Sequence, residues 1–267
     1  MHISSSLIIS TYNWPEALDL CLKSVLDQHQ LPDEIIIADD GSGDETRALI
    51  QRYQNDSPKP IKHVWHSDEG FRKTIILNTA VKEAKGAYLI QIDGDIIVHP
   101  EFVRDHLSVA KQGQFIRGSR AMLDSSTTRH ALQVRRTHFG PFSKGVKHRL
   151  NALHIPALSS FIRTDPYNPA DVKGCNMAYW KSDFVLVNGY NNDLTGWGHE
   201  DIELAARFVN NGIRKRHLKW AAVCFHIDHP HNSRANESAN KAVYERVLSS
   251  GTKQCTNGYN STLNQPQ

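Results

Sequence analysis

The chain has 267 residues, 39% hydrophobic and 22% charged, with a formal net charge of +3. This length holds one large domain or two small ones, and the composition is that of a soluble globular chain, not a disordered or fibrous one. The near-neutral balance argues against a nucleic-acid partner, and no apolar run approaches the roughly 18 residues of a membrane span. The opening "MHISSSLIISTYN" lacks a basic segment and soon enters a strand pattern, so no signal peptide is expected. Cys21, Cys175, Cys224 and Cys255 show no paired spacing, which reads as reduced thiols in a cytoplasmic protein.

Ser6–Thr11 reads as a buried strand, and Pro15 then opens a helix near Glu16–Gln28 with Leu18, Cys21, Leu22 and Val25 on one face. Asp33–Asp40 is a second strand, ending in two aspartates and the turn "GSGDE"; Asp44 is expected to cap a helix through Tyr53. Ile61–His66 is a third strand. Arg72–Lys85 is a helix stopped by Gly86, and Ala87–Asp93 is a fourth strand running into "DGD". This alternation of strand and helix predicts an α/β fold with a mostly parallel central sheet and right-handed crossovers. Ligands in such sheets collect at the carboxyl ends of the strands. Thr11–Asn13, Asp39–Asp40, His66–Asp68 and Asp93–Asp95 all fall there.

After His99-Pro100 come another helix and the strand-like Gln114–Arg120. Between Ser125 and Thr164 there is no acidic residue, while Arg129, Arg135, Arg136, Lys144, Lys147, Arg149 and Arg163 are present. A solvated helix face produces such runs; one this one-sided also suits a phosphate-rich acceptor or an anionic membrane surface. Order returns at Lys173–Trp180, then in a helix begun near Glu200, the strand Trp220–His226 and a last helix over Ala235–Leu248. The polar end reads as frayed.

Four stretches carry candidate chemistry. In "DGD", Asp93 and Asp95 follow an apolar strand at i and i+2, a spacing that lets two carboxylates share a hard cation and the diphosphate it binds. Gly94 lets the backbone approach closely; the bland reading is an Asp-Gly turn. In "ADDGSGDET", Asp39 or Asp40 can accept from a nucleobase imide, whereas an Asx turn explains only Gly41–Asp44. In "CFHIDHPH", His226, His229 and His231 follow a strand; His226 is nearest its end, and imidazole ligates borderline divalent metals. A chance cluster is the alternative in a chain with 15 histidines. In "TGWGHEDIELAARFVNNG", Glu200 and Asp201 open a helix, where one acid is favoured by the dipole. Two acids, beside Trp197 between glycines, exceed that need. An aromatic face suits a sugar, and a carboxylate beside it can take a proton from a hydroxyl.

Together these residues resemble the inverting glycosyltransferases of family 2, with the nucleotide-sugar-binding GT-A (Rossmann-like) fold. The matching stretches are "LIISTYNWPEALDLCLKSVLDQ", "EIIIADDGSGDET", "GAYLIQIDGD", "KGCNMAYWKSDFVLVNGY" and "GWGHEDIEL". The last is similar to the carboxyl-terminal part shared by β-1,4-galactosyltransferases and chondroitin- and hyaluronan-type polymerases. The resemblance implies a single domain over residues 1–250, with a nucleotide-binding half (1–98), an acceptor and catalytic half (99–250) holding the basic segment 125–164, and a polar tail (251–267). It implies that Ser10, Thr11 and Tyr12 lie along the nucleotide, Asp40 binds the uracil imide and Arg72 lies near the nucleotide or its diphosphate. Asp93 would approach the ribose, and Asp95 and His226 would hold Mn2+ or Mg2+. Asn176 and Met177 would lie near the donor sugar and Trp197 would line both sugars. Glu200 would hold the sugar or acceptor, with Asp201 as general base. One departure is His199, which stands where the galactosyltransferase pattern has glycine.

The implied partners are a UDP-sugar donor and a glycan or lipid-linked glycan acceptor. Localisation is expected to be cytoplasmic, with peripheral contact at the inner face of the cell membrane. The rival readings are a nucleotidyltransferase of similar fold, which would release diphosphate, and a non-catalytic nucleotide-sugar or glycan-binding protein.

Overall fold

The computed structural model describes residues 2–162, 164–230 and 233–261. The first half alternates as the sequence predicts. In chain order it runs β1 (Ser5–Thr11), α1 (Pro15–Leu26), β2 (Glu34–Asp39), α2 (Asp44–Asp56), β3 (Ile61–Trp65), α3 (Lys73–Glu83) and β4 (Tyr88–Asp93). The second half is built from shorter pieces: β5 (Ile96–Val98), α4 (Phe102–Ser108), β6 (Gln114–Gly118), β7 (Ala121–Leu123), α5 (Ser125–Val134) and β8 (Val146–Lys147). A 3-10 turn (Arg149–Ala152), α6 (Pro156–Ser159), β9 (Asn176–Trp180), α7 (Lys181–Leu186) and α8 (Glu200–Asn210) follow. The chain then forms β10 (Arg214–Leu218), β11 (Cys224–His226) and α9 (Glu237–Ser250).

Among the described residues the main sheet has the order β10-β6-β9-β4-β1-β2-β3. β9 runs antiparallel to both of its neighbours, and the other pairings are parallel. β1 is buried along its whole length, because helices cover both faces of a parallel sheet. Leu7 and Ile9 join one apolar cluster and Ile8 the other, following the two-residue strand period. Register sets Ser10 beside Asp93 and Thr11 beside Asp39, so these groups emerge at one edge of the sheet.

A smaller sheet, β5-β11-β7-β8, closes the second half. Its antiparallel β11–β5 pairing sets His226 opposite Ile96, the residue after Asp95. Thus two short strands bring the late histidine segment to "DGD". The strand read over Trp220–His226 is confined to its last three residues. Trp220 and Ala222 adopt left-handed φ values of 62° and 45°, and the Ala222 amide donates to the Asp105 carboxylate instead of a ladder.

Two further expectations are corrected. Asp44 is the first helical residue of α2, not its cap, which is Gly43 without a side-chain bond. The polar end is not frayed as far as Ser261. Cys255 is buried, and Asn188 donates to the Cys255 carbonyl while its own side-chain oxygen accepts from Asn260. Residues 262–267 lie outside the described residues. All four cysteines are free and buried. Among the described residues, no helix is long and apolar enough to cross a membrane.

Candidate active site

The strand tips of the first half form one wall. Asp39 is fully buried and internally used: its carboxylate accepts from the Ser42 amide and from His63 Nε2. Asp40 accepts from His66 Nε2 at 2.7 Å and from the Arg72 amide at 3.0 Å. Asp39 thus holds the turn, and Asp40 ties it to the start of α3. Tyr12 is exposed and donates to Asp68. Ser10 donates to Asp93 Oδ1 at 2.7 Å. Gly94 lies so close to β1 that an added Cβ would sit 3.1 Å from the Ser10 carbonyl, so close backbone approach explains this glycine.

Lys73 is a site residue that the sequence reading missed. Its Nζ donates to Asp93 Oδ1 at 2.6 Å. Burial alone would lower its pKa, but Asp93, Glu200 and Asp201 raise it above the ordinary lysine range. Burial likewise opposes ionisation of Asp93, yet Lys73 and Ser10 hold its carboxyl below the ordinary value. The neighbouring Arg72 points elsewhere: its guanidinium bonds Glu69 and the Ser67 carbonyl. One residue along a helix turns the side chain by about 100°, so "GFRK" contained the right signal one position later.

Two residues after Asp93, Asp95 Oδ2 faces His226 Nε2 at 3.4 Å and His229 Nε2 at 3.1 Å. His226 Nδ1 lies 2.8 Å from the Ile227 carbonyl and His229 Nδ1 2.6 Å from the Pro230 carbonyl. A carbonyl only accepts, so each Nδ1 carries a hydrogen, and in the neutral rings both Nε2 lone pairs point at the carboxylate. Asp95 Oδ1 is buried without a partner. With both rings neutral, the two Nε2 atoms and the Asp95 carboxylate converge on one space and fit a divalent cation, which would displace the proton that Asp95 favours on His229. Burial lowers the His226 pKa; its hydrogen bond to Asp95 raises that of His229 to about 9. His229 therefore joins the pair Asp95 and His226 read from sequence, while His231 lies outside the described residues.

Glu200 and Asp201 begin α8, whose interior is locked by a buried pair. Arg207 donates to both oxygens of Glu203 and to the carbonyls of Val187 and Gly189. Asp201 Oδ2 accepts from the Gly174 amide at 2.9 Å, and Glu200 Oε2 accepts from the Gly198 amide. Burial first, and then the Asp201 charge, raise the Glu200 pKa to about 7. Trp197 is 36% exposed between Gly196 and Gly198, whose φ values of 73° and 109° lie in the left-handed region that favours glycine. The Arg234 guanidinium lies 5.1 Å over its ring. Lys73, paired to Asp93 and within the fields of Glu200 and Asp201, joins the two walls.

The expected positions of Asn176 and Met177 beside a donor sugar are corrected. Both are buried on β9. The Asn176 amide donates to the Ser119 and Ala222 carbonyls, and its oxygen bonds His106. Met177 packs into the apolar core. The backbone just before them, at Gly174, is what reaches the site.

The sequence matches glycosyl transferase family 2 over residues 6–184. The chain belongs to that family. A second match, to the N-terminal domain of galactosyltransferase, covers residues 159–230 and so contains Gly174, Glu200, Asp201, His226 and His229. Validoxylamine A glucosyltransferase of Streptomyces hygroscopicus subsp. limoneus is 28% identical over 232 residues, covering 78% of this chain and 48% of that protein. Chondroitin synthase of Escherichia coli is 22% identical over 260 residues, covering 91% of this chain and 38% of the relative. The chain therefore spans about half or less of these relatives' length. A crystal structure of GalNAc-T7 with UDP, GalNAc and Mn2+ superposes with a TM-score of 0.66 at 16% identity, covering 92% of this chain and 48% of that one. The family 2 chain has a GT-A-like α/β fold with a mixed central sheet.

Proposed function

We propose that this chain is a metal-dependent inverting glycosyltransferase. It moves a hexose or N-acetylhexosamine from a UDP-sugar to a hydroxyl of a bacterial surface glycan, in lipopolysaccharide core, O-antigen or capsule, and forms a β-linkage. One observation carries this reading: Lys73 is bonded to Asp93 and feels the charges of Glu200 and Asp201, while Asp93 feels that of His226, which converges with His229 on Asp95.

Asp95, His226 and His229 would hold the cation, and their mixed oxygen and nitrogen donors suit Mn2+ better than Mg2+. A bound divalent ion neutralises charge that builds on leaving UDP. Lys73 supplies a further fixed positive charge at the same end. Asp40 and Tyr12 border the place for the base and Ser10 and Asp93 that for the ribose, with Arg72 holding the loop beside them. Trp197 offers its face to the sugars. Glu200, raised to about 7, is partly protonated at neutral pH and can donate to a sugar hydroxyl. Asp201, aimed by the Gly174 amide, takes the acceptor proton. The acceptor oxygen bonds to the anomeric carbon as the bond from that carbon to the diphosphate oxygen breaks, so an α-linked donor gives a β-linked product. Buried free thiols support a reducing, cytoplasmic setting.

The test is a UDP-sugar screen with Mn2+, run on wild type and Asp201→Asn. General-base loss should cut transfer by about 10²–10⁴-fold with UDP binding retained. Transfer at the wild-type rate would overturn the assignment of the base, and release of diphosphate in place of UDP would overturn the reaction class.

A further inference from the structure

We propose that the turn from Ile155 to Phe161, with the cations that precede it, is a docking surface for an anionic lipid bilayer. Ile155, Leu158 and Phe161 follow one another at intervals of three residues. Their backbone bonds are of the i to i+3 kind: the Leu158 amide donates to Ile155 and the Phe161 amide to Leu158. Such a turn stacks side chains three apart along one side. That side is open, with Phe161 76% exposed and both Ile155 and Leu158 exposed. Leu150, 66% exposed, is drawn to the same place by Trp220. The Trp220 indole donates to the Leu150 carbonyl, and the Trp220 carbonyl accepts from the Ile155 amide.

Charge selects the occupant. Lys147 and Arg149 are exposed just before the ridge, and the Lys219 ammonium lies 5.4 Å over the Trp220 ring. No acid occurs between Ser125 and Thr164 to repel an anionic surface. Apolar side chains beside cations match a bilayer interface, where the former enter the acyl boundary and the latter meet headgroups. Not all of the basic segment serves this surface. Arg135 is committed to Asp19 and Tyr53 across α1 and α2, and Arg163 lies outside the described residues.

The placement also bears on acceptor supply. Trp220 sits in the link from β10 to His226, and the chain after Phe161 leads to Gly174, which holds Asp201. A bilayer on this ridge would bring a lipid-linked glycan to the part of the chain that carries Gly174 and His226. That last step rests on the transferase reading; the docking surface does not.

The test is co-sedimentation of the chain with phosphatidylcholine vesicles and with mixed phosphatidylcholine–phosphatidylglycerol vesicles, without donor or acceptor. Binding is expected only to the mixed vesicles and should weaken with salt. Lys147→Gln with Arg149→Gln should weaken it by roughly thirtyfold, and Leu158→Ser with Phe161→Ser by about tenfold or more. Both double variants should keep the wild-type melting temperature and turnover of a soluble acceptor, since these residues lie outside the site. Equal binding to both vesicle types, or full binding by the Leu158/Phe161 variant, would overturn the proposal. So would a wild-type dimer that Phe161→Ser dissociates. Failure of sugar transfer would leave the vesicle result standing.

Discussion

The two walls of the cleft are finished to different degrees. At the strand tips of the first half, Asp39, Asp40 and Asp93 each have partners for their carboxylates within the protein. Past Gly94 and at the start of α8, Asp95 Oδ1 and His199 Nδ1 are buried with none, and Asp95 Oδ2 faces two ring nitrogens. Saturated groups mark what the fold has already used. An orphaned atom beside converging metal-ligand groups is where a bound cation would complete the structure; lone orphans such as Arg72 Nε and Trp180 Nε1 mark no such place. In α8 the interior pair is closed by a buried cation, whereas the first-turn carboxylates of Glu200 and Asp201 are held only by backbone amides.

The closed pair should give the largest effect. Arg207→Leu leaves Glu203 buried without its cation and removes donors from Val187 and Gly189. Denaturant unfolding should show a loss of about 4 kcal/mol. A loss under about 1 kcal/mol would mean that the pair does not mount the helix.

The two aspartates of "DGD" make the sharpest contrast. Asp93→Asn strands Lys73 and should cost about 3 kcal/mol of metal-free stability, the low end for a buried pair because both side chains are partly exposed. Asp95→Asn should cost less without metal. It should instead abolish the rise in melting temperature on Mn2+ addition and reduce transfer by about a hundredfold or more. Equal metal-free losses in the two variants would erase the difference between the walls.

How much of this was legible in the sequence follows the same divide. In the first half, strands covered on both faces and helices with a clear apolar stripe announce themselves, and the strand-end aspartates come with them. In the second half, β7, β8 and β11 span two or three residues each, too few for a period to register. What places His226 and His229 at Asp95 is a pairing between strands more than a hundred residues apart. Lys73 was hidden behind Arg72 because the helix turn, not the residue type, decides which cation enters the cleft. For Asn176 and Met177, nothing local says that β9 is an interior strand held by β4 and β6.

A smaller, pH-dependent effect is expected at Glu200. Its folded pKa is raised to about 7, so the folded state holds this proton more tightly than the unfolded chain does. The cost is absent below the unfolded value of about 4.3, grows as pH rises from there to the folded value, and levels off above it. Glu200→Gln should therefore raise the melting temperature more at pH 8 than at pH 5. After discount for partial exposure, the gain corresponds to about 1–2 kcal/mol. A fall in melting temperature at pH 8 would show that Lys73 keeps Glu200 ionised throughout.

The smallest effect is expected at His199, where the chain departs from the galactosyltransferase glycine. His199 is the residue that caps α8, with a left-handed φ of 72°. A side chain in that conformation costs roughly 1 kcal/mol relative to glycine. Its ring lies 6.1 Å from that of Tyr244 on α9, which offsets part of the cost, while the buried Nδ1 finds no partner. His199→Gly removes strain, packing and an unsatisfied polar atom together, so stability should change by less than about 1 kcal/mol. Transfer should persist, because the Glu200 and Asp201 carboxylates are held by the Gly198 and Gly174 amides. A loss of transfer with stability unchanged would move His199 from the cap to the chemistry, where its orphaned ring nitrogen would then have a ligand to meet.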